Sequence, residues 1–252
     1  MFYKDNINEI NNSGLNRLFI DEVYAVGKIL KISESQTHYL KTVMRLVAGK
    51  KIAIFNGIDG EWLAKIITLE KKIGNLELLK CLRPQEKSPN CWLLFPPIKS
   101  LRTDFLVEKS TEIGVRKLIP IRTDYSQVNR FNTKKHIYHA IEASEQCGRL
   151  DVPIIETLSS LEGMLQYWPE SRILLFCDET GGEPISFAAS EYINKESGFA
   201  VLVGPEGGFS PAERLILKSK PFVRSVNLGS YILRTETAAI TALSTTLNIK
   251  GL

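Results

Sequence analysis

The 252-residue sequence is poor in the residues that build metal, redox and disulfide centres. Its four cysteines, Cys81, Cys91, Cys147 and Cys177, form no CxxC pair, which predicts reduced thiols that serve packing. Three histidines are too few for a histidine-rich metal centre. His136 and His139 fall on one helix face, but two ligands without a third make no site, and no metal is expected. No stretch approaches the roughly 18–20 apolar residues that a membrane span needs, and the opening MFYKDNINEINNSG is too polar for a signal peptide. A cytoplasmic protein with a loose N-terminal tail and no membrane partner is expected. Neither GxGxxG nor GxxxxGK[ST] occurs, nor the GxSxG of a nucleophile elbow, which speaks against a nucleotide hydrolase.

What is present begins with 44% hydrophobic residues, enough for a packed core. Charge is uneven. Residues 1–150 hold 24 Lys and Arg against 16 Asp and Glu, whereas 151–252 hold 8 against 12. A basic front suits contact with a polyanion, although the same imbalance also serves plain solubility.

Patterning divides the chain. From about residue 15 to 83, short runs such as RLFI, KKIAIFNG, EWLAKIITLE and NLELLKCL alternate with turn signals and predict a small β-barrel. The proline-containing segment LRPQEKSPN, 82–90, reads as a linker. Beyond it, apolar strand-like runs (CWLLFPP, KLIPI, RILLFCD, FAVLVG) alternate with helical ones, the signature of an α/β domain with a largely parallel sheet. Two domains are expected, 1–83 and 84–252. Local signals set some boundaries: Thr103 as a helix cap, Gly114 as the helix end, and SPAE (210–213) as a capping box with Pro211 at the first helical position. On the helix predicted over HIYHAIEASEQCGRL, Lys135, His139, Glu142, Gln146 and Arg149 share a polar face.

One loop is unusual. LVGPEGGFSPAE, 202–213, carries two glycines between a strand and a helix, as phosphate loops do, yet it has no lysine and places Glu206 where a phosphate would sit. The glycines therefore predict close backbone approach to a ligand that is not a phosphate ester. A tight turn with positive φ at Gly207 and Gly208 explains them equally well. A second glycine turn, NLGSYILRTETAAITAL (227–243), follows another apolar strand and sets Glu236 at a helix start. Two such loops, each with a carboxylate, are expected at one sheet edge.

Together, VGPEGGFSPAE and LGSYILRTETA resemble the cofactor loops of the RsmE-type small-subunit rRNA uridine-N3 methyltransferases of the SPOUT superfamily. The similarity continues through RLF (17–19), HYLKTVMR (38–45), KSLRTDFLVEKSTEIGVRKLIPI (99–121) and EASEQCGRLDVP (142–153). It implies a PUA-like N-terminal β-barrel, a SPOUT-type α/β domain with a C-terminal trefoil knot, a homodimer, and S-adenosyl-L-methionine as cofactor. The substrate it implies is 16S rRNA or the small ribosomal subunit, methylated at N3 of one uridine. Leu202, Val203, Gly204, Pro205, Glu206, Gly207 and Gly208 would bind the cofactor from one loop. Leu228, Gly229, Ile232, Leu233, Arg234 and Thr235 would bind it from the other. Glu236 is the candidate base and Arg17 the candidate for orienting the uracil; the plainer readings are a helix-start carboxylate and a barrel ion pair. Arg17, His38, Arg45, Lys99, Arg102, Gln146 and Arg149 are the candidate RNA contacts. In two places the chain departs from the family pattern, with Tyr125 and Tyr231 where arginines are expected, which exchanges two cations for groups that can stack on a base. The alternative is a non-enzymatic RNA-binding or ribosome-assembly module.

Overall fold

Every second residue of ILKI, KIAIF and NLELL is apolar and large, and that spacing is what a sheet with one covered face requires. In the computed structural model, which describes residues 14–194 and 196–251, these runs build a first unit. The expected N-terminal tail falls mostly outside the described residues. Five strands, β1 (Arg17–Phe19), β2 (Ile29–Ile32), β3 (Lys51–Phe55), β4 (Glu61–Leu69) and β5 (Gly74–Arg83), lie in the order β1-β3-β4-β5-β2. The expected barrel is thus a half-barrel sheet with β1 and β2 at its edges. β1 pairs parallel to β3 and the other neighbours are antiparallel. Leu30, Ile32, Ile52, Ile54, Ile66, Leu76 and Leu78 fill its core. Between β2 and β3, helix α1 (Glu34–His38) starts on a Ser33–Gln36 capping box and runs into a single wide turn, Tyr39–Val43.

Chain contacts group residues through Lys87 with Ser144–Asp151, and Ser88–Ala143 with Val152–Leu252. In the second unit every strand pairing is parallel. Its strands are β6 (Cys91–Phe95), β7 (Lys117–Arg122), β8 (Ile154–Ile155), β9 (Ser159–Ser160), β10 (Ile173–Cys177), β11 (Glu183–Pro184), β12 (Phe199–Leu202) and β13 (Val223–Asn227). They run β11-β13-β10-β12-β6-β7-β8, with β9 paired to β7. Parallel strands covered on both faces have no polar side, which is why CWLLF, ILLFC and FAVL read as unbroken apolar runs.

The helices are α2 (Ser100–Ile113), α3 (Thr133–Cys147), α4 (Leu161–Gln166), α5 (Ile185–Tyr192), α6 (Pro211–Lys218) and α7 (Thr235–Lys250). On one face Leu93, Phe95, Leu175 and Val201 pack with Leu106 and Val107 of α2 and Ala239, Ala242 and Leu243 of α7. On the other, Leu94, Leu174, Phe176 and Leu202 pack with Leu161 of α4 and Leu217 of α6.

One boundary differs from expectation. Thr103 lies inside α2 rather than capping it: its hydroxyl donates to the Ile98 carbonyl at 2.8 Å and accepts from the Ile98 N–H at 3.0 Å. The helix starts four residues earlier, with Lys99 at the cap position and no side-chain cap bond. Gly114 ends it in the left-handed geometry. The SPAE box forms as the sequence predicts, with Ser210 Oγ accepting from Glu213 N and Glu213 Oε2 accepting from Ser210 N.

Candidate active site at three strand ends

β13, β10 and β12 are parallel neighbours, so the loops that leave their C-terminal ends emerge at one sheet edge, where α/β folds bind ligands. Three loops there enclose a cavity of about 400 Å³: Cys177–Gly181 after β10, Gly204–Gly208 after β12, and Asn227–Leu233 after β13. Thr235 and Ala238 of α7 complete its wall.

The β12 loop is a tight turn closed by the Gly208 N–H on the Pro205 carbonyl at 2.9 Å. Gly208 has φ of 70°, the left-handed region that favours glycine, and Glu179 Oε1 of the β10 loop lies 2.2 Å from where a Cβ would stand. Gly207, expected to share the positive φ, does not; one left-handed residue is enough to redirect the strand into α6. The Thr235 hydroxyl donates to the Gly204 carbonyl at 2.8 Å and ties the β12 loop to the start of α7.

The lining carries Asp178, Glu179 and Glu206 and, among the described residues, no lysine or arginine. Asp178 is buried, with Lys218 Nζ at 2.9 Å, the Thr180 hydroxyl donating at 2.7 Å, and Arg214 against it. Burial by itself raises its pKa, but the hydrogen bonds from Lys218 and Thr180 and the charge of Arg214 prevail and hold the carboxyl below its usual range. The Cys177 thiol, pushed up to about 12 by burial, stays protonated and is no nucleophile.

Glu236 occupies the first turn of α7, where the helix dipole favours a carboxylate. Its side chain is 14% exposed, and Oε1 lies 3.7 Å from Nε of Arg102. Oε2 is buried with no hydrogen-bond partner among the described residues. Arg102, from the first turn of α2, also donates from Nη1 to Oε1 of Glu206.

A family model described as an RNA methyltransferase domain matches residues 85–247, and one described as an RNA methyltransferase PUA domain matches residues 32–79. The chain belongs to this RNA methyltransferase family. Its relatives include the ribosomal RNA small subunit methyltransferase E of Rickettsia conorii, 34% identical over 91% of this chain and 93% of that protein. The protein of the same name from Buchnera aphidicola (Schizaphis graminum) is 29% identical over 93% and 96%. Among solved structures, ribosomal RNA small subunit methyltransferase E from Neisseria gonorrhoeae, bound to S-adenosyl methionine, superposes with a TM-score of 0.85 at 25% identity, covering 93% of this chain and 98% of that one. The first unit is accordingly PUA-like and the second a SPOUT-type methyltransferase domain.

In this methyltransferase domain, the expected loop residues divide. Gly204, Pro205, Glu206, Gly207, Gly208, Leu228, Gly229, Ile232, Leu233 and Thr235 line the cavity. Leu202 and Val203 are fully buried in the core and, like Arg234, the exposed N-cap of α7, lie outside the lining. Sequence reading missed the whole Cys177–Gly181 loop. Its signal was available: RILLFCDETGG is again an apolar strand followed by carboxylates and a glycine pair. Of the two departures, Tyr231 lines the cavity and is 87% exposed, while Tyr125 packs against Gly207.

The RNA candidates also separate. His38, Arg45, Lys99 and Gln146 are exposed. Arg149 is not: its side chain is 9% exposed and its Nε donates to Asp151 at 2.8 Å. Arg17 is committed to the protein. Its Nε donates to Glu61 at 2.6 Å, Nη1 to the carbonyls of Ser144 and Glu145, and Nη2 to that of Arg149, with its guanidinium over the Phe55 ring. Arg83 meets the other oxygen of Glu61 at 2.9 Å. Burial raises the Glu61 pKa, but the two guanidinium partners outweigh it and keep the carboxyl below its usual range. Arg17 therefore clamps segment 144–151 to the sheet, in the geometry of a structural ion pair. The α3 polar face is likewise engaged in part, since Lys135 and His139 both approach Asp104 of α2.

A second cavity of about 420 Å³ is lined by Arg122, Asp124, Asn129, Ser160 and Glu213 among others. Two of its carboxylates are engaged locally: Asp124 accepts from the Ser210 hydroxyl at 2.5 Å and Glu213 from the Asp124 N–H at 2.9 Å. Among the described residues no group of three or more His, Cys, Asp or Glu is placed to hold a metal ion, and no helix is long and apolar enough to cross a membrane.

Proposed function

We propose that this protein transfers a methyl group from S-adenosyl-L-methionine to N3 of a specific uridine in 16S ribosomal RNA. The observation that carries the reading is the build of the cavity: glycine-containing loops after three neighbouring parallel strands enclose a space of about 400 Å³, with no lysine or arginine lining it among the described residues. Its carboxylates are paired, Asp178 and Glu179 with Arg214 and Glu206 with Arg102, so the lining offers backbone and apolar groups and, among the described residues, no free cation for a diphosphate, and the volume falls in the range of small-molecule sites. The backbone of Gly204–Gly208 and of Leu228–Leu233 would hold the cofactor. When bound, S-adenosylmethionine supplies a methyl group activated by its sulfonium charge.

The chain's own residues must deal with the nucleophile. N3 of uridine carries a proton that has to leave as the N–C bond forms, and Glu236 is the group to take it, through the unpartnered Oε2. Because N3 lies on the Watson–Crick edge, the uridine is bound unpaired or turned out of its helix. His38, Arg45, Lys99 and Gln146, exposed and polar, are the proposed RNA contacts. In this reading residues 1–83 act as the RNA-binding part and 84–252 as the catalytic part. The reading includes the trefoil-knotted C-terminal segment that the family resemblance implies. Apolar groups at the surface, Leu101 at 85% exposure among them, support a homodimer. A ribosomal RNA substrate places the protein in the cytoplasm, and methyl transfer from a sulfonium needs no metal.

The test combines calorimetry with S-adenosylmethionine and mass spectrometry of 16S rRNA after incubation. Glu236→Gln is expected to bind the cofactor within about twofold of the parent and to lose at least about 100-fold in turnover. Unchanged turnover removes Glu236 from the reaction, and absence of cofactor binding in the parent favours the non-enzymatic RNA-binding module.

A further inference from the structure

Glu206 lies in the β12 loop and Glu236 in the first turn of α7, 30 residues apart, yet both carboxylates meet one guanidinium from a third element. Arg102 donates to Oε1 of Glu206 and stands 3.7 Å from Oε1 of Glu236. Two carboxylates drawn to one place repel each other unless a cation lies between them, and the repulsion grows as water is excluded. Glu236 is the more enclosed, 14% exposed against 43% for Glu206. Its Oε1 is the atom near Arg102, which leaves Oε2 without a partner among the described residues.

We propose that Arg102 is a positioning residue for Glu236, and that Glu206 is the anchor which holds Arg102 in place. This assigns Glu206 a purpose other than ligand binding: the acidic residue in a glycine loop orients the cation that in turn orients the reacting carboxylate. It also moves Arg102 out of the set of RNA contacts. The planar guanidinium reaches two carboxylates at once through Nε and Nη1, which a lysine ammonium does less well because its single nitrogen cannot span both positions. Facing Oε1 across 3.7 Å, the Arg102 guanidinium favours the carboxylate orientation that leaves Oε2 as the oxygen to accept the uracil N3 proton.

The inference rests on Glu236 as the proton acceptor, and the experiment separates the two. Arg102→Gln, Arg102→Lys, Glu206→Gln and the double variant Arg102→Gln/Glu206→Gln are compared with Glu236→Gln in steady-state methylation of 16S rRNA. Expected for Arg102→Gln is a fall in kcat of about 100-fold with the KM for RNA and the cofactor affinity within threefold. Arg102→Lys should recover part of that loss, Glu206→Gln should lose less, and the double variant should be no worse than Arg102→Gln, because the two residues act in series. Thermal unfolding midpoints are measured alongside, and Arg102→Lys retains charge and length should Arg102→Gln fold poorly. A rise in KM for RNA with kcat intact makes Arg102 an RNA contact and overturns the proposal, as do strictly additive losses in the double variant. Unchanged turnover in Arg102→Gln with an inactive Glu236→Gln overturns the proposal alone; unchanged turnover in Glu236→Gln overturns the reading beneath it.

Discussion

Arg45 holds a backbone conformation that side chains resist. Its φ is 54°, and it is the one described residue other than glycine with positive φ. It follows the wide turn Tyr39–Val43, whose end is closed by Met44 N–H on Tyr39 and Leu46 N–H on Leu40. Helices commonly place glycine at that point, since a Cβ in the left-handed region costs about 1 kcal/mol. The side chain is exposed and gains no burial that would offset the strain. Arg45→Gly is therefore expected to raise the unfolding midpoint by about 2–4 °C while weakening binding to 16S rRNA, as read by calorimetric melting and filter binding. A lower midpoint would mean that the arginine contributes packing. The same scale shows what a sequence conveals about a single residue: HYLKTVMR announces a basic stretch, but not that its last member is strained, because φ is set by the turn that precedes it.

Between elements, α2 and α3 meet through Asp104. Lys135 Nζ lies 2.6 Å from its carboxylate, with His136 at 3.4 Å and His139 at 3.6 Å. The His136 ring stacks on Phe131 with centroids 4.3 Å apart. Burial lowers the His136 pKa from 6.5 to about 4; the attraction of Asp104 opposes this and does not overcome it, while Lys135 and His139 add to the lowering. The unfolded chain thus takes up a proton near pH 6.5 that the folded chain refuses until about pH 4. Stability from this residue is complete above about pH 6.5 and is lost as the pH falls toward 4. Urea midpoints measured from pH 7 to 4.5 are expected to fall, and to fall less steeply in His136→Phe; equal slopes would mean that the imidazole titrates freely. The helix over HIYHAIEASEQCGRL and its polar face were legible from their spacing. That two of its five residues, Lys135 and His139, are spent on Asp104 was not, because the partner lies on another helix about 30 residues earlier.

For the whole molecule, charge is distributed along the chain as 24 Lys and Arg against 16 Asp and Glu in residues 1–150, and 8 against 12 thereafter. RNA binding that depends on the basic part releases counterions, so affinity for 16S rRNA is expected to fall with salt along a straight log–log line of negative slope. Affinity for S-adenosylmethionine, which the proposed site would hold mainly through backbone groups, should change little over the same 50–200 mM range. Parallel loss of both affinities would tie the two sites to one electrostatic surface.

Some of this was decided by sequence alone. Unbroken apolar runs call for parallel strands covered on both faces, glycine pairs after such strands mark the loops, and the SPAE box starts α6 where it should, because each of these signals acts over a few neighbouring residues. Tertiary structure decided the rest: that Arg17 is spent holding Ser144, Glu145 and Arg149, that a third loop joins the cavity, and that Glu206 answers to Arg102 across 104 residues. Those outcomes depend on which distant groups packing brings within reach of one charge, and no local pattern of residues encodes that.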